Sequence, residues 1–414
     1  TNIKPASQIF GKGGEFMNIF QTKTVNNNAH QRKQIKIFGI KFTFKTKEWL
    51  EAQTLYNTEQ NKINLSFNKP AGNKNILFIA SNFVQEGGIE TRLRQYIEKL
   101  SPEGFNVFIL SEDNKNKFLS EQTNFYLSFD APNFNNCLIE IIKNYNINFI
   151  EFQFKNSKIL KNLNLNEIKK YSIIGCTLHN TGIKNIKLIN KLDYAIIVSN
   201  YLYQNHYKKI KNSVIIQNAI DFSKFDNIYW EYKNQNTALL ISRLMPDKLK
   251  SINCFINYCK TNGYKFKIAG EDLTFKIKEK LKNEFDLADD VFIGAIDTVN
   301  YLKENKDKYL FIAGVGLVIL EAGAFNIPCF VCSDDKNKCY SFVTKENVEL
   351  FDNFTINARS LVTKCQKKEF ELDKNNLEKY KLKNYFVQKR DLENNFKHYQ
   401  NLLTEKCKTA EVRK

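Results

Sequence analysis

The chain has 414 residues, 43% of them apolar, with 34 Phe and 19 Tyr, so it can bury sizeable cores and wholesale disorder is excluded. Its 62 basic and 44 acidic residues leave a formal charge of +18, which favours anionic partners, although scattered lysines also serve simply to solvate a surface. No run approaches the roughly 18 apolar residues of a membrane-spanning helix, and nine scattered cysteines, an odd number, exclude a secreted disulfide framework.

In chain order, residues 1–16 read as an appended linker, because Met17 looks like a natural start and no secretory signal opens the chain. Residues 17–72 form a short N-terminal extension. Its basic stretch, Gln31 to Lys47, contains Lys41-Phe42-Thr43-Phe44-Lys45, which alternates at the period of a half-exposed strand. Glu48 to Leu55 reads as a helix and Lys69-Pro70-Ala71-Gly72 as a linker. The extension is either an arm on the main body or a segment lying on an anionic membrane surface.

A βαβ pattern then starts. Ile76 to Ala80 is a continuous apolar run, Gly87-Gly88 a loop, Ile89 to Leu100 a helix and Asn106 to Leu110 a strand. Further strand-like runs follow at Phe149 to Phe152, Ser172 to Cys176, Tyr194 to Val198 and Val214 to Ile216. These define a first Rossmann-like domain over 73–225. A second, over 226–385, has predicted strands at Ala238 to Ile241, Tyr264 to Ala269, Val291 to Gly294 and Pro328 to Cys332. Its predicted helices are Ser251 to Tyr258, Phe275 to Phe285 and Val315 to Phe325. Residues 386–414 hold a final helix, running from about Tyr385 to Leu403, and a tail. Cys329 and Cys332 form a Cys-x-x-Cys inside a strand-like run, and neither a second pair nor a nearby His completes a zinc set, so they read as core residues.

Five segments carry candidate chemistry. Gly87 and Gly88 let the backbone approach a ligand, and the helix behind them offers free N–H groups to a phosphate, though a Gly-Gly pair alone is an ordinary turn. His179, in Thr177-Leu178-His179-Asn180, follows a predicted strand, and the ends of parallel strands face the ligand crevice of open α/β sheets. Gln217-Asn218-Ala219-Ile220-Asp221 lies at the crossing between the halves. Arg243 and Lys248 stand five positions apart after the first strand of the second half. Gly314, Gly316 and Leu317 open the stretch Gly314 to Pro328, where glycines precede a helix start, and Glu321 stands within that helix in an otherwise apolar run. An acidic group there can accept hydrogen bonds from ribose hydroxyls.

In this order the segments resemble the GT-B glycosyltransferases, in particular the retaining family 4 or group 1 type, over about four fifths of the chain. The resemblance implies an α/β protein of two Rossmann-like domains whose parallel sheets face an interdomain cleft. It implies that the second domain binds a nucleotide-sugar donor, with Arg243 and Lys248 on the diphosphate and Glu321 on the ribose. Gly87, Gly88 and His179 would line the sugar from the first domain, and the last helix would pack back across the crevice. No metal cofactor is expected, since GT-B enzymes generally stabilise the leaving diphosphate with cationic side chains.

The match departs from the family at Gln217 and Ala219, which stand where the family has Pro and Gly, and again before Glu321. The family's paired glutamates stand eight positions apart, and eight positions before Glu321 this chain has Ala313. In similar enzymes that first Glu touches the transferred sugar. The expected activity is glycosyl transfer to a glycan or lipid-linked acceptor, with retention, in bacterial capsule or lipooligosaccharide synthesis. The expected location is the cytoplasm, peripheral at the inner face of the membrane, with no nucleic-acid partner. Ala313 keeps two alternatives open, a catalytically silent nucleotide- or glycan-binding subunit and a sugar-nucleotide epimerase of the same fold.

Overall fold

The computed structural model describes residues 20–27, 30–37, 40–45, 74–83, 87–114, 116–154, 158–180, 185–225, 228–272, 276–332, 340–353 and 369–411. Within the extension, β1 (Phe20–Asn27), β2 (His30–Ile37) and β3 (Ile40–Lys45) pair as an antiparallel sheet. The alternating stretch is thus a strand, while the predicted helix at 48–55 and linker at 69–72 lie outside the described residues.

The first domain is built on β4 (Lys74–Ile79), β5 (Phe105–Ser111), β6 (Thr123–Tyr126), β7 (Phe149–Phe154), β8 (Ile173–Leu178), β9 (Tyr194–Ile197) and β10 (Ser213–Ile215). They form one parallel sheet in the order β10-β9-β8-β7-β4-β5-β6. Successive residues of a strand point to opposite faces, and both faces here are covered. Leu77, Phe108, Ile150 and Ile174 enter one apolar layer, with α2 (Phe134–Asn144), and Ile76, Ile109, Phe149 and Ile173 the other, with α1 (Gly88–Leu100). Burial on both sides explains why these strands read as unbroken apolar runs.

The second domain repeats the plan with β11 (Thr237–Ile241), α3 (Leu249–Thr261), β12 (Lys265–Ala269), α4 (Ile277–Phe285), β13 (Phe292–Gly294), α5 (Thr298–Asn305), β14 (Phe311–Ala313), α6 (Leu317–Ala324), β15 (Cys329–Cys332), β16 (Tyr340–Val343) and α7 (Val348–Asn353). The sheet order is β13-β12-β11-β14-β15-β16, parallel except for the antiparallel edge strand β16. Cys329 and Cys332 are buried in β15, as expected of core residues.

The chain crosses between domains twice, and the single helix expected after Tyr385 is in fact two. Helix α8 (Lys383–Arg390) stays on the second domain, where the Phe386 ring fills the space a side chain at Gly323 would need. At Asp391 the backbone turns extended, and its carboxylate caps α9 (Leu392–Glu411) by accepting from the Asn394 N–H. Two interactions force the break. The backbone at 390–392 pairs with Ile220 through Ile220 N–H to Arg390 O (3.0 Å) and Leu392 N–H to Ile220 O (3.0 Å), and Arg390 itself is drawn into a buried ion pair with Asp352. Beyond the break α9 lays Leu392, Phe396, Tyr399 and Leu403 onto the first domain's core, at the spacing of one helix face.

Candidate functional site

In open α/β sheets a ligand crevice forms where the strand order reverses. In the second sheet that point lies between β11 and β14, since the chain runs outward from β11 through β12 to β13 on one side and from β14 to β15 on the other. Both predicted donor segments emerge there. The loop 242–248, with Arg243 exposed and Lys248 half-buried, follows β11 and leads into α3, with Lys248 at its N-cap. Gly314 to Gly316 follow β14 and lead into α6.

Glycines set the geometry. A Cβ on Gly270, at the end of β12, would lie 1.9 Å from the Ser242 carbonyl oxygen, so only glycine lets that strand end close against the start of the Arg243 loop. Gly316 has φ 64°, a left-handed conformation that favours glycine, and it turns the chain into α6. The N-termini of α3 and α6 thus follow two adjacent strands, with Arg243 and Lys248 in the segment before α3, a combination suited to a diphosphate. Leu317 is the first residue of α6 and Glu321 lies half-buried in its second turn. Ala313 ends β14, fully buried between Leu240 and Phe330 of the neighbouring strands. Its methyl group cannot take the place of a sugar-binding carboxylate.

In the first sheet the order reverses between β4 and β7. Gly87 and Gly88 follow β4, Gly87 in extended conformation and Gly88 as the first residue of α1. A Cβ on Gly88 would meet nothing within 4 Å, so packing alone does not demand glycine there. His179 leaves the end of β8, one strand beyond the reversal, half-buried, with Nε2 2.8 Å from Gln153 Oε1. Asn218, in the crossing, receives Arg92 Nη1 on its side-chain oxygen (3.4 Å) and Arg390 Nη1 on its carbonyl (3.1 Å), which ties the crossing to both domains.

Sequence reasoning passed over the polar group behind His179. Glu151 is 1% exposed in the middle of β7, yet four donors converge on its carboxylate: Gln153 Nε2 (2.7 Å), Thr177 Oγ1 (2.7 Å), Tyr194 Oη (3.1 Å) and Tyr399 Oη (2.8 Å). Burial, then the nearby Glu151 charge, pushes the Tyr194 and Tyr399 hydroxyls well above their ordinary pKa, so they remain donors. Tyr194 reaches Glu151 by lying across Gly175 of the intervening strand, where an added Cβ would sit 2.0 Å from its ring. The signal was present in Phe149-Ile150-Glu151-Phe152-Gln153-Phe154, where an acid and an amide interrupt an apolar run.

No protein-family model and no curated protein sequence matches the chain. Among solved structures it is similar to a glycosyltransferase from Rickettsia africae, with TM-score 0.58 and 16% identity over 83% of this chain and 100% of that one. It is also similar to the lipopolysaccharide outer core galactosyltransferase WaaB in its apo form, with TM-score 0.51 and 11% identity over 80% and 99% of the two chains. Two Rossmann-like domains, each with its loops at the switch point of a parallel sheet, define an α/β protein built around a ligand crevice. Its fold is GT-B, as the sequence pattern implied.

Proposed function

We propose that the chain moves a sugar from a nucleoside-diphosphate donor to a glycan or lipid-linked acceptor. The observation that carries this reading is the convergence of the Arg243–Lys248 loop and the Gly314–Leu317 loop at one switch point, each leading into a helix N-terminus. Arg243 and Lys248 meet the negative charge that develops on the leaving diphosphate, so no metal ion is needed there. Glu321 accepts from the ribose hydroxyls. Gly87, Gly88 and His179 hold the transferred sugar, and the acceptor enters from the first domain. Retention follows from the family resemblance: ionisation of the donor with attack on the same face requires no nucleophile from the protein. Closure of the two domains keeps water from hydrolysing the donor.

The nucleotide site is tested by thermal denaturation with UDP, GDP, CDP, ADP and their sugars. A ligand held at 100 times its Kd should add about 2.7 kcal/mol to the unfolding free energy and raise the melting temperature. No shift with any of them would remove the nucleotide site. Buried Ala313 favours a second reading, a binding subunit without turnover. That reading predicts the thermal shift but neither transfer nor hydrolysis of the donor.

The proposed setting is bacterial surface-polysaccharide synthesis at the cytoplasmic face of a membrane. The +18 charge supports it, as does the register of the N-terminal sheet, which sets Arg32 opposite Lys45 and Lys36 opposite Lys41. An anionic surface attracts such a concentration of basic positions. Among the described residues no helix is long and apolar enough to cross a membrane. The full chain should therefore co-sediment with phosphatidylserine-containing vesicles at low salt and detach as salt is raised. Absence of binding at low salt would count against the membrane setting and leave the nucleotide site standing.

A further inference from the structure

The buried carboxylate in the first domain has no place in the chemistry above, yet it lies two residues from the group that touches His179. Glu151 and Gln153 project from the same face of β7, and they stand in register with Gly175 and Thr177 of β8, the strand that leads into His179. We propose that Gln153 is a positioning residue for His179, and that Glu151 fixes the Gln153 amide in the orientation that allows it. The relevance to turnover rests on the reading of His179 as a sugar-site residue, but the ring geometry does not.

The argument is one of donors and acceptors. A carboxylate only accepts, and it offers about four acceptor sites. All four are taken, by one amide, one threonine hydroxyl and two tyrosine hydroxyls. Gln153 must therefore turn its NH2 end to Glu151, because the reverse would press a carbonyl oxygen against a buried carboxylate. Its carbonyl end then faces His179 at 2.8 Å, and a carbonyl can only accept. Nε2 of His179 must carry a proton. In the neutral ring Nδ1 then carries no proton.

The network extends beyond one strand. Tyr399 comes from α9, after the chain has visited the second domain and returned, and its hydroxyl fills one site on Glu151. Tyr194 fills another only because Gly175 leaves room for its ring. With both hydroxyls in place, the carboxylate has no acceptor site left for a solvent molecule. The tautomer of a ring at the mouth of the crevice is thereby set by residues in the core and on the returning helix.

The test reads the ring directly. The chain has four histidines, so selective 15N labelling gives a tractable spectrum, with His179 assigned through His179→Asn. In the wild-type protein, without donor, the His179 Nε2–H should exchange slowly. In Gln153→Leu, exchange of that proton should accelerate at least about tenfold, the equivalent of one lost hydrogen bond. Glu151→Gln, nearly isosteric, frees the Gln153 amide to turn over and should give an intermediate acceleration. It also serves if leucine at 153 prevents folding. Exchange as slow as in the wild-type protein, in whichever variant folds, overturns the proposal. In the active protein Gln153→Leu should lower kcat about tenfold with the donor KM within about twofold, since the ring is misoriented and not removed. A wild-type protein inactive on every donor would sink the proposed function and leave the exchange result to decide this inference alone.

Discussion

Replacing Arg390 with methionine should lower the unfolding free energy by about 3–5 kcal/mol. The guanidinium is 1% exposed, and all of its known partners lie where the chain crosses between domains. Nε donates to the Asp352 carboxylate at 2.6 Å, Nη2 to the Asp352 carbonyl at 2.8 Å and Nη1 to the Asn218 carbonyl at 3.1 Å. Removing it takes the counter-charge from a buried carboxylate that still hydrogen-bonds the Tyr385 hydroxyl, and one donor each from the Asp352 and Asn218 carbonyls, and a buried charge without its counter-charge is what makes a broken ion pair costly. Denaturant unfolding of Arg390→Met measures the loss. Adding Asp352→Leu should recover much of it, because an apolar pair of similar volume leaves no charge without a partner. A loss under about 1 kcal/mol in the single variant would mean that water reaches the pair and the site is not sealed.

Arg243→Ala and Lys248→Ala should each reduce donor turnover by about 10²-fold or more, while leaving the fold intact. Both side chains stand on a loop rather than in a core, so their removal exposes no cavity. The cost falls on the transition state, where the diphosphate departs with growing negative charge and a fixed cation counts for most. Lys250→Ala is the control, an exposed lysine two residues further along the same segment, and should be nearly silent. Normal turnover in both loop variants would overturn the assignment of the diphosphate to this switch point.

The architecture was legible wherever burial on both faces produced an unbroken apolar run. Ile76 to Ala80, Tyr194 to Val198 and Ala238 to Ile241 needed no more than their composition to be read as strands. What escaped was short or shaped by distant contacts. Strand β14 has three residues, Phe311–Ala313, and merges in the sequence with the glycine loop after it, although it supplies one side of the second switch point. Strand β6, a four-residue element at the edge of the first sheet, and helix α2 were likewise unread. The break at Asp391 could not be seen in a helical pattern that runs through it, because its cause is a pairing with Ile220, about 170 residues earlier. At the candidate site, local motifs exposed the loops and strand ends. They did not expose Glu151, Gln153 and Tyr399, whose meeting depends on strand register and on the path of the last helix.

That path bears on how the molecule is made. Its first domain is discontinuous: the sheet is finished by Ile215, but the face that carries Tyr96 and Glu151 waits for Phe396, Tyr399 and Leu403. A growing chain leaving the ribosome has all of the second domain's strands and most of its helices before that cover arrives. The half synthesised later can therefore settle while the half synthesised earlier still exposes an apolar face and a carboxylate missing one donor. Dividing the protein at the first crossing would leave that same face bare, so the natural unit for expression is the pair of domains together with α9.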